Sequence, residues 1–518
     1  MAAVQPASGS AVENASASRQ TAPPGPAAGP QLESRAAVAR NAFHLLIGQV
    51  STTALAILFS AALGRWLGAG DFGVYFLISS FSTFAYVVVD WGQQFFVIRE
   101  VARTPARGGQ LLGTTLALRA GGAALILLPA GLLAWALGYD ARTCWFCVAF
   151  IGASLPFVLA QVYGMVFRGR DHMGLDAAVS VINKSVALVF ALAALALGFG
   201  LSGVLVAQAL GGFGAVALAV RLYRRVATSP VRWSAATARE VLTGGTAIVV
   251  VMVAISVQPY VDAIILSKLV PPHALGWFGA AKNMMGTLLA PALIIGAAAY
   301  PRLSRAAFDL RTFNAEVRAT LRPMLCLGAL AGVGTYLFAE AAISIVYGAR
   351  QFGAAGKILK VFAPGLFLVF IDVLFGNALT ALGRATAFAV AKVGSVVLST
   401  ALDVLLIPVF QQRTGNGGLG VVVAFVASEV VVFAGAAFLM PRGTFGREVA
   451  KDMGRALASA GVTALVFQIL PPLPIYLGVP ACILAFFLSA LAVGLVRRSD
   501  VMLLKTIGRQ RVRAPAAA

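Results

Sequence analysis

The sequence predicts an all-α, polytopic membrane protein of about 14 transmembrane helices, built as two pseudo-symmetric six-helix bundles followed by a C-terminal helix pair. Three observations predict it. Of 518 residues, 59% are hydrophobic and only 11% charged, where a soluble globular protein carries roughly 25% charged residues; the mean hydropathy is +0.88. Apolar windows of about 20 residues, the length that crosses roughly 30 Å at 1.5 Å per residue, recur along the chain. Basic residues collect in alternate loops between those windows.

In chain order, residues 1–40 are rich in Ala, Ser, Pro and Gly, as in TAPPGPAAGP (21–30), with no apolar signal core; they are expected to be a disordered cytoplasmic tail. The expected spans are 42–64, 72–97, 111–137, 144–167, 177–199 and 202–220, then 241–267, 276–300, 323–347, 358–382, 386–410 and 418–440, and finally 456–473 and 479–496. The last two flank a proline-rich turn, QILPPLPIYLG (468–478). Residues 41–225 and 240–440 are thus expected to form the two bundles and 454–498 the helix pair, with 499–518 a basic cytoplasmic tail.

A net charge of +21 raises nucleic acid as a partner, but the distribution of the charge favours topology instead. With the N terminus placed in the cytoplasm, the cytoplasmic segments hold 29 Lys and Arg and the opposite loops 7. That bias predicts both termini in the cytoplasm and an even number of spans. The four cysteines, Cys144, Cys147, Cys326 and Cys482, lie in or beside apolar runs, so neither a disulfide framework nor a metal site is expected of them. No phosphate-binding loop, dinucleotide fingerprint, HExxH or Gly-x-Ser-x-Gly occurs, so the chain reads as a carrier without catalytic residues, metal or cofactor.

Weak internal matches support the two halves. GDFGVYFLISS (70–80) begins the second helix and HALGWFGAAKN (273–283) the eighth, which sets Gly73 opposite Gly276; GVLVA (203–207) and GVVVA (420–424) begin the sixth and twelfth. A six-helix half returns to its starting side, so the repeat is parallel, as in carriers that rock about a central site.

The four remaining cations, Arg119, Lys184, Lys282 and Lys392, fall within spans. A charge at the centre of a membrane helix costs at least about 2.5–3.5 kcal/mol and usually faces a cavity or a partner. Lys184 is eight residues after Asp176, and Lys392 eight after Arg384, which places them at equal expected depths in the fifth helix of each half. With Arg119 they would line a positive, inward-facing vestibule suited to a diphosphate, with Lys282 placed to take the same anion later. Alternatively each side chain snorkels to the surface along its stem. The embedded acids, Asp90, Asp262, Asp372, Asp403 and Glu429, are candidates for coupling to H⁺ or Na⁺ or for pairing with the cations.

Several stretches, ALGRWLGAGDFGVYFLISSF (62–81), DWGQQFFVIREVAR (90–103), QPYVDAIILSKLVPPHALGWFGAAK (258–282) and LTALGRATAFAVAK (379–392), carry a resemblance over roughly residues 38–500. They resemble the polysaccharide and oligosaccharide flippases, relatives of the O-antigen flippases in the multidrug, oligosaccharidyl-lipid and polysaccharide exporter superfamily. The resemblance implies movement of an undecaprenyl-diphosphate-linked glycan across a bacterial inner membrane by alternating access, often driven by an ion gradient. Membrane lipid and polysaccharide-assembly proteins are then the expected partners. The competing readings are a cation exporter of the same superfamily, which should present carboxylates to its substrate, and a glycan polymerase or ligase, which should carry large outer loops.

Overall fold

The computed structural model describes residues 30–496 apart from 228, 257 and 472. The described residues are predominantly α-helical, and eleven of their helical stretches are long and apolar enough to cross a membrane. The first, α1 (Pro30–Asp90), breaks at Gly68 (φ 74°, ψ 175°) into two limbs, a backbone conformation open to glycine and closed to most other residues. It begins within the tail expected at 1–40; residues 1–29 and the basic tail at 499–518 lie outside the described residues.

The second limb ends earlier than the expected 97. Trp91 (φ 45°) and Gly92 (φ 70°) turn the chain, and α2 (Gln93–Arg103) follows as a separate short helix. Then come α3 (Gly108–Ala136), α4 (Ala141–Gly169), α5 (Met173–Ala196) and α6 (Gly200–Val226). The expected seventh span is divided into α7 (Ala235–Ser256) and α8 (Gln258–Leu269). The eighth is divided into α9 (Pro272–Leu288) and α10 (Ala290–Ala306), with Pro291 in the first turn of α10 where its missing N–H costs nothing.

The later half continues with α11 (Leu310–Tyr347), α12 (Ala349–Ala381), α13 (Ala385–Thr414) and α14 (Gly418–Leu439). α11 starts 13 residues before the expected 323 because Asp309 caps it, accepting from the N–H groups of Arg311 and Thr312 and from the Thr312 hydroxyl. Those bonds, the Thr312 hydroxyl foremost, hold the Asp309 carboxyl below the ordinary carboxylate value. Asp140 caps α4 in the same way through Thr143. α15 (Arg447–Ile469) also begins early, its polar first turns laced by Glu448–Lys451 and Asp452–Arg455 pairs, and α16 (Ile475–Ala492) closes the chain. Both pack against α11.

The loops divide between an arginine-rich face (around 91–107, 168–172, 227–234, 307–309 and 440–446) and an arginine-poor face (around 68, 137–140, 197–199, 270–271, 348 and 415–417). At the arginine-poor face the halves meet closely. A Cβ on Gly73 would lie 2.1 Å from the Pro272 carbonyl oxygen, and one on Gly276 2.0 Å from that of Ala69, so the two glycines paired by the repeat let α1 and α9 cross backbone to backbone. Phe72 meets Tyr347 and Phe352 edge-on, each with ring centres 5.6 Å apart. The Arg65 guanidinium donates to the carbonyls of Ile345 and Val346, and Ala69 N–H to Gln351. At the arginine-rich face α7 lies on α2 and α3, with an Arg107–Glu240 ion pair of 2.7 Å.

Candidate functional site

The second limb of α1 and helices α2 to α6 line a cavity of about 530 Å³. One wall is a stripe of the second α1 limb, Tyr75, Ser79, Ser82, Thr83, Tyr86 and Asp90, whose spacing of three and four residues puts them on one helical face. Phe150, Ser154, Phe157 and Gln161 form a second stripe on α4, α2 contributes Gln94 and Phe95 and α3 Arg119, and Lys184 of α5 and Gln208 of α6 also line it. Polar stripes inside apolar spans were the available signal for these residues, which attention to charge alone passes over. A smaller cavity of about 210 Å³ adjoins it, lined by Ser60, Tyr75, Lys184, Asn283, Thr287 and Tyr347. Lys184 and Tyr75 border both.

The four embedded cations do not form one vestibule. Arg119 is buried and bound to Asp90, with Nη1 also donating to the Val158 carbonyl at 3.2 Å; it closes the cavity wall as half of an ion pair. Lys184 has no carboxylate partner among the described residues and is half-buried at the junction of the two cavities.

Lys392 belongs elsewhere. Its ammonium lies 2.8 Å from Asp372 and 3.4 Å from Glu429, buried between α12, α13 and α14. The expected equal depth of Lys184 and Lys392 is corrected by the packing. Gly203 seats on Ala194, ten residues beyond Lys184, whereas its counterpart Gly420 seats on Leu406 and Ile407, fourteen and fifteen beyond Lys392. Lys392 is therefore about one turn, roughly 6 Å, nearer the arginine-rich face.

Lys282 joins the same second cluster. It sits over the rings of Phe425 (4.8 Å) and Phe362 (5.6 Å) and interacts electrostatically with Asp262, Asp403 and Glu429. Asp262 and Asp403 are 1% and 0% exposed and face each other, and among the described residues no side chain of another residue donates a hydrogen bond to their four oxygens. Two ammonium groups thus stand against four carboxyl groups, which can hold two negative charges in balance and no more without protons or a further cation.

The cluster and the cavity are separate sites, one dense in carboxyl groups, the other carrying an unpaired cation among hydroxyls, amides and aromatic rings. Among solved structures, the fold is similar to a lipid II flippase MurJ in an inward closed conformation (TM-score 0.67, 13% identity, 89% of this chain and 99% of that one). It is also similar to an inward-facing multidrug resistance MATE family transporter of the MOP superfamily (TM-score 0.61, 14% identity, 76% of this chain and 97% of that one). A curated relative, the probable low-salt glycan biosynthesis flippase Agl15 of Haloferax volcanii, is 23% identical over 373 residues, 71% of this chain and 78% of its own length. The family profile described as polysaccharide biosynthesis protein matches residues 38–307, just over half of the sequence and the whole of the cavity-bearing half. With the resemblance carried by 62–103 and 258–282 inside that match, the chain belongs to the polysaccharide biosynthesis protein family.

Proposed function

We propose that the protein moves an undecaprenyl-diphosphate-linked oligosaccharide from the cytoplasmic to the periplasmic leaflet of a bacterial inner membrane by alternating access. The observation that carries this reading is Lys184: of the four embedded cations, it alone lies on a cavity wall with no carboxylate bearing on it among the described residues. An ammonium among donors meets the diphosphate, and the stripe of hydroxyls, amides and rings meets the glycan. The lipid tail stays in the bilayer. The family and the glycan flippase relative support the substrate class, and the bias of basic loops supports the orientation, with both termini cytoplasmic. Polysaccharide-assembly proteins would then act before and after it. A cationic drug is disfavoured as cargo, because the cavity's carboxylate, Asp90, is already bound to Arg119.

The coupling ion in this reading is a proton held between Asp262 and Asp403. Two buried carboxyl groups that face each other with one ammonium beside them carry a single negative charge at least cost, which leaves the second carboxyl group to hold a proton.

The test is reconstitution in vesicles with a lipid-diphosphate-linked oligosaccharide, followed by the appearance of glycan at the opposite leaflet. Lys184→Gln should slow translocation roughly tenfold to a hundredfold, the range expected for one charge-assisted contact. Wild-type rates in that variant would sink the reading.

A further inference from the structure

The smaller cavity is built from both halves, and its lining carries no carboxylate: Ser60 and Tyr75 of α1 and Lys184 of α5 face Asn283 and Thr287 of α9 and Tyr347 of α11. Its polar groups also tie the halves together. Ser60 Oγ and the Tyr347 hydroxyl are 2.8 Å apart, and Asn283 Nδ2 donates to Ser60 Oγ at 3.3 Å. These bonds lie just inside the closed arginine-poor face, beneath the Gly73–Gly276 crossing and the Arg65 bonds to Ile345 and Val346. Among the contacts described above that seal this face, the Ser60–Tyr347–Asn283 set is the layer that also lines the cavity holding Lys184.

We infer that this set is a latch released by the anion: a phosphate group drawn to Lys184 competes for the Ser60, Tyr347 and Asn283 hydrogens, and so loosens the face through which the cargo must leave. The inference rests on the translocation reading above and adds the route by which occupancy reaches the gate. The chemistry is direct. A phosphate oxygen accepts from an ammonium, an amide N–H₂ and hydroxyls more strongly than a neutral hydroxyl does, and about 210 Å³ accommodates a phosphate with water. Each donor turned toward the anion is a donor withdrawn from the bond between the halves. Because the ligand interacts differently with the latched and unlatched states, it shifts their ratio.

The test uses the full chain in lipid nanodiscs, with the four native cysteines replaced by serine and spin labels at Trp66→Cys and Arg350→Cys, exposed positions on opposite halves at the arginine-poor face. Inorganic pyrophosphate is the probe. In the otherwise unaltered protein it should move the label distance toward the separated population. In Tyr347→Phe that population should rise about fivefold without pyrophosphate, the value of one hydrogen bond of roughly 1 kcal/mol, and Ser60→Ala should do the same from the other side. Lys184→Gln should not respond to pyrophosphate. An unchanged distance in both latch variants, no pyrophosphate response in the unaltered chain, or a full response in Lys184→Gln would each overturn the latch. If Lys184→Gln blocks glycan translocation while the latch variants stay closed, the transport reading stands and the latch falls. Normal translocation by Lys184→Gln removes the reading itself.

Discussion

Replacing Lys392 by Gln removes the ammonium that Asp372 and Glu429 share at 2.8 and 3.4 Å. The lysine side chain is 11% exposed and the two acids 13% and 4%, so water cannot take over the pairing. Breaking a buried ion pair by deleting one partner costs about 3–5 kcal/mol, because the surviving charge is left uncompensated; here two acids survive, which sets the expectation at the upper end of that range. Lys184→Gln provides the control. It removes a cation with no carboxylate partner among the described residues, so stability should hold or rise, by at most about 2.5 kcal/mol, the lower figure for embedding a charge. Equilibrium unfolding in mild detergent, followed by circular dichroism, measures both. Adding Asp372→Asn and Glu429→Gln to Lys392→Gln should restore most of the loss. Equal stability of the two lysine variants, or a loss larger in Lys184→Gln, would refute the division of the cations into a paired cluster and a free cavity residue.

Three further outcomes follow from the same geometry. Gly276→Ala places a Cβ 2.0 Å from the Ala69 carbonyl oxygen, so the arginine-poor crossing must open at a cost of about 1–3 kcal/mol; a membrane-impermeant reagent should then label a cysteine placed at Ala69 faster than in the parent protein. Asp403→Asn leaves Asp262 with a neutral neighbour and no proton to share, so proton uptake during transport, read with a pH-sensitive dye inside vesicles, should disappear while the protein still folds. Asp309 is held below its ordinary value by the Thr312 hydroxyl and the Thr312 and Arg311 N–H groups. Its cap therefore stabilises the start of α11 at neutral pH and loses that contribution as pH falls through the lowered value. The protection of amide hydrogens at 310–316, taken relative to the intrinsic exchange rate at each pH, should fall on acidification in the unaltered chain, and Asp309→Asn should flatten that dependence.

Much of the fold was legible because it depends on hydropathy along a single chain. Apolar length set the number and order of the spans, and the glycine pairing of the repeat, Gly73 with Gly276, names two positions where the α1 and α9 backbones come closest. The span ends were less legible. α11 and α15 extend past the apolar windows on polar turns secured by a cap and by i,i+3 ion pairs, which hydropathy does not register. The cavity was half legible: the stripe from Ser79 to Asp90 is a periodic signal within one helix, whereas the Ser60–Tyr347 bond joins residues 287 positions apart.

By itself, the sequence determined that this is a multi-pass helical membrane protein and roughly where its spans fall, since both follow from the free energy of placing each residue in lipid or water. Only the tertiary structure decided what each embedded charge does. Lys184 and Lys392 have nearly the same surroundings in sequence, yet a shift of one turn in how α6 and α14 seat on their neighbours separates them. One ammonium reaches Asp372 and Glu429 on other helices, and the other faces an open cavity. Pairing falls off steeply over a few ångströms in a low-dielectric interior, and those ångströms are set by helix packing that no single stretch of sequence contains.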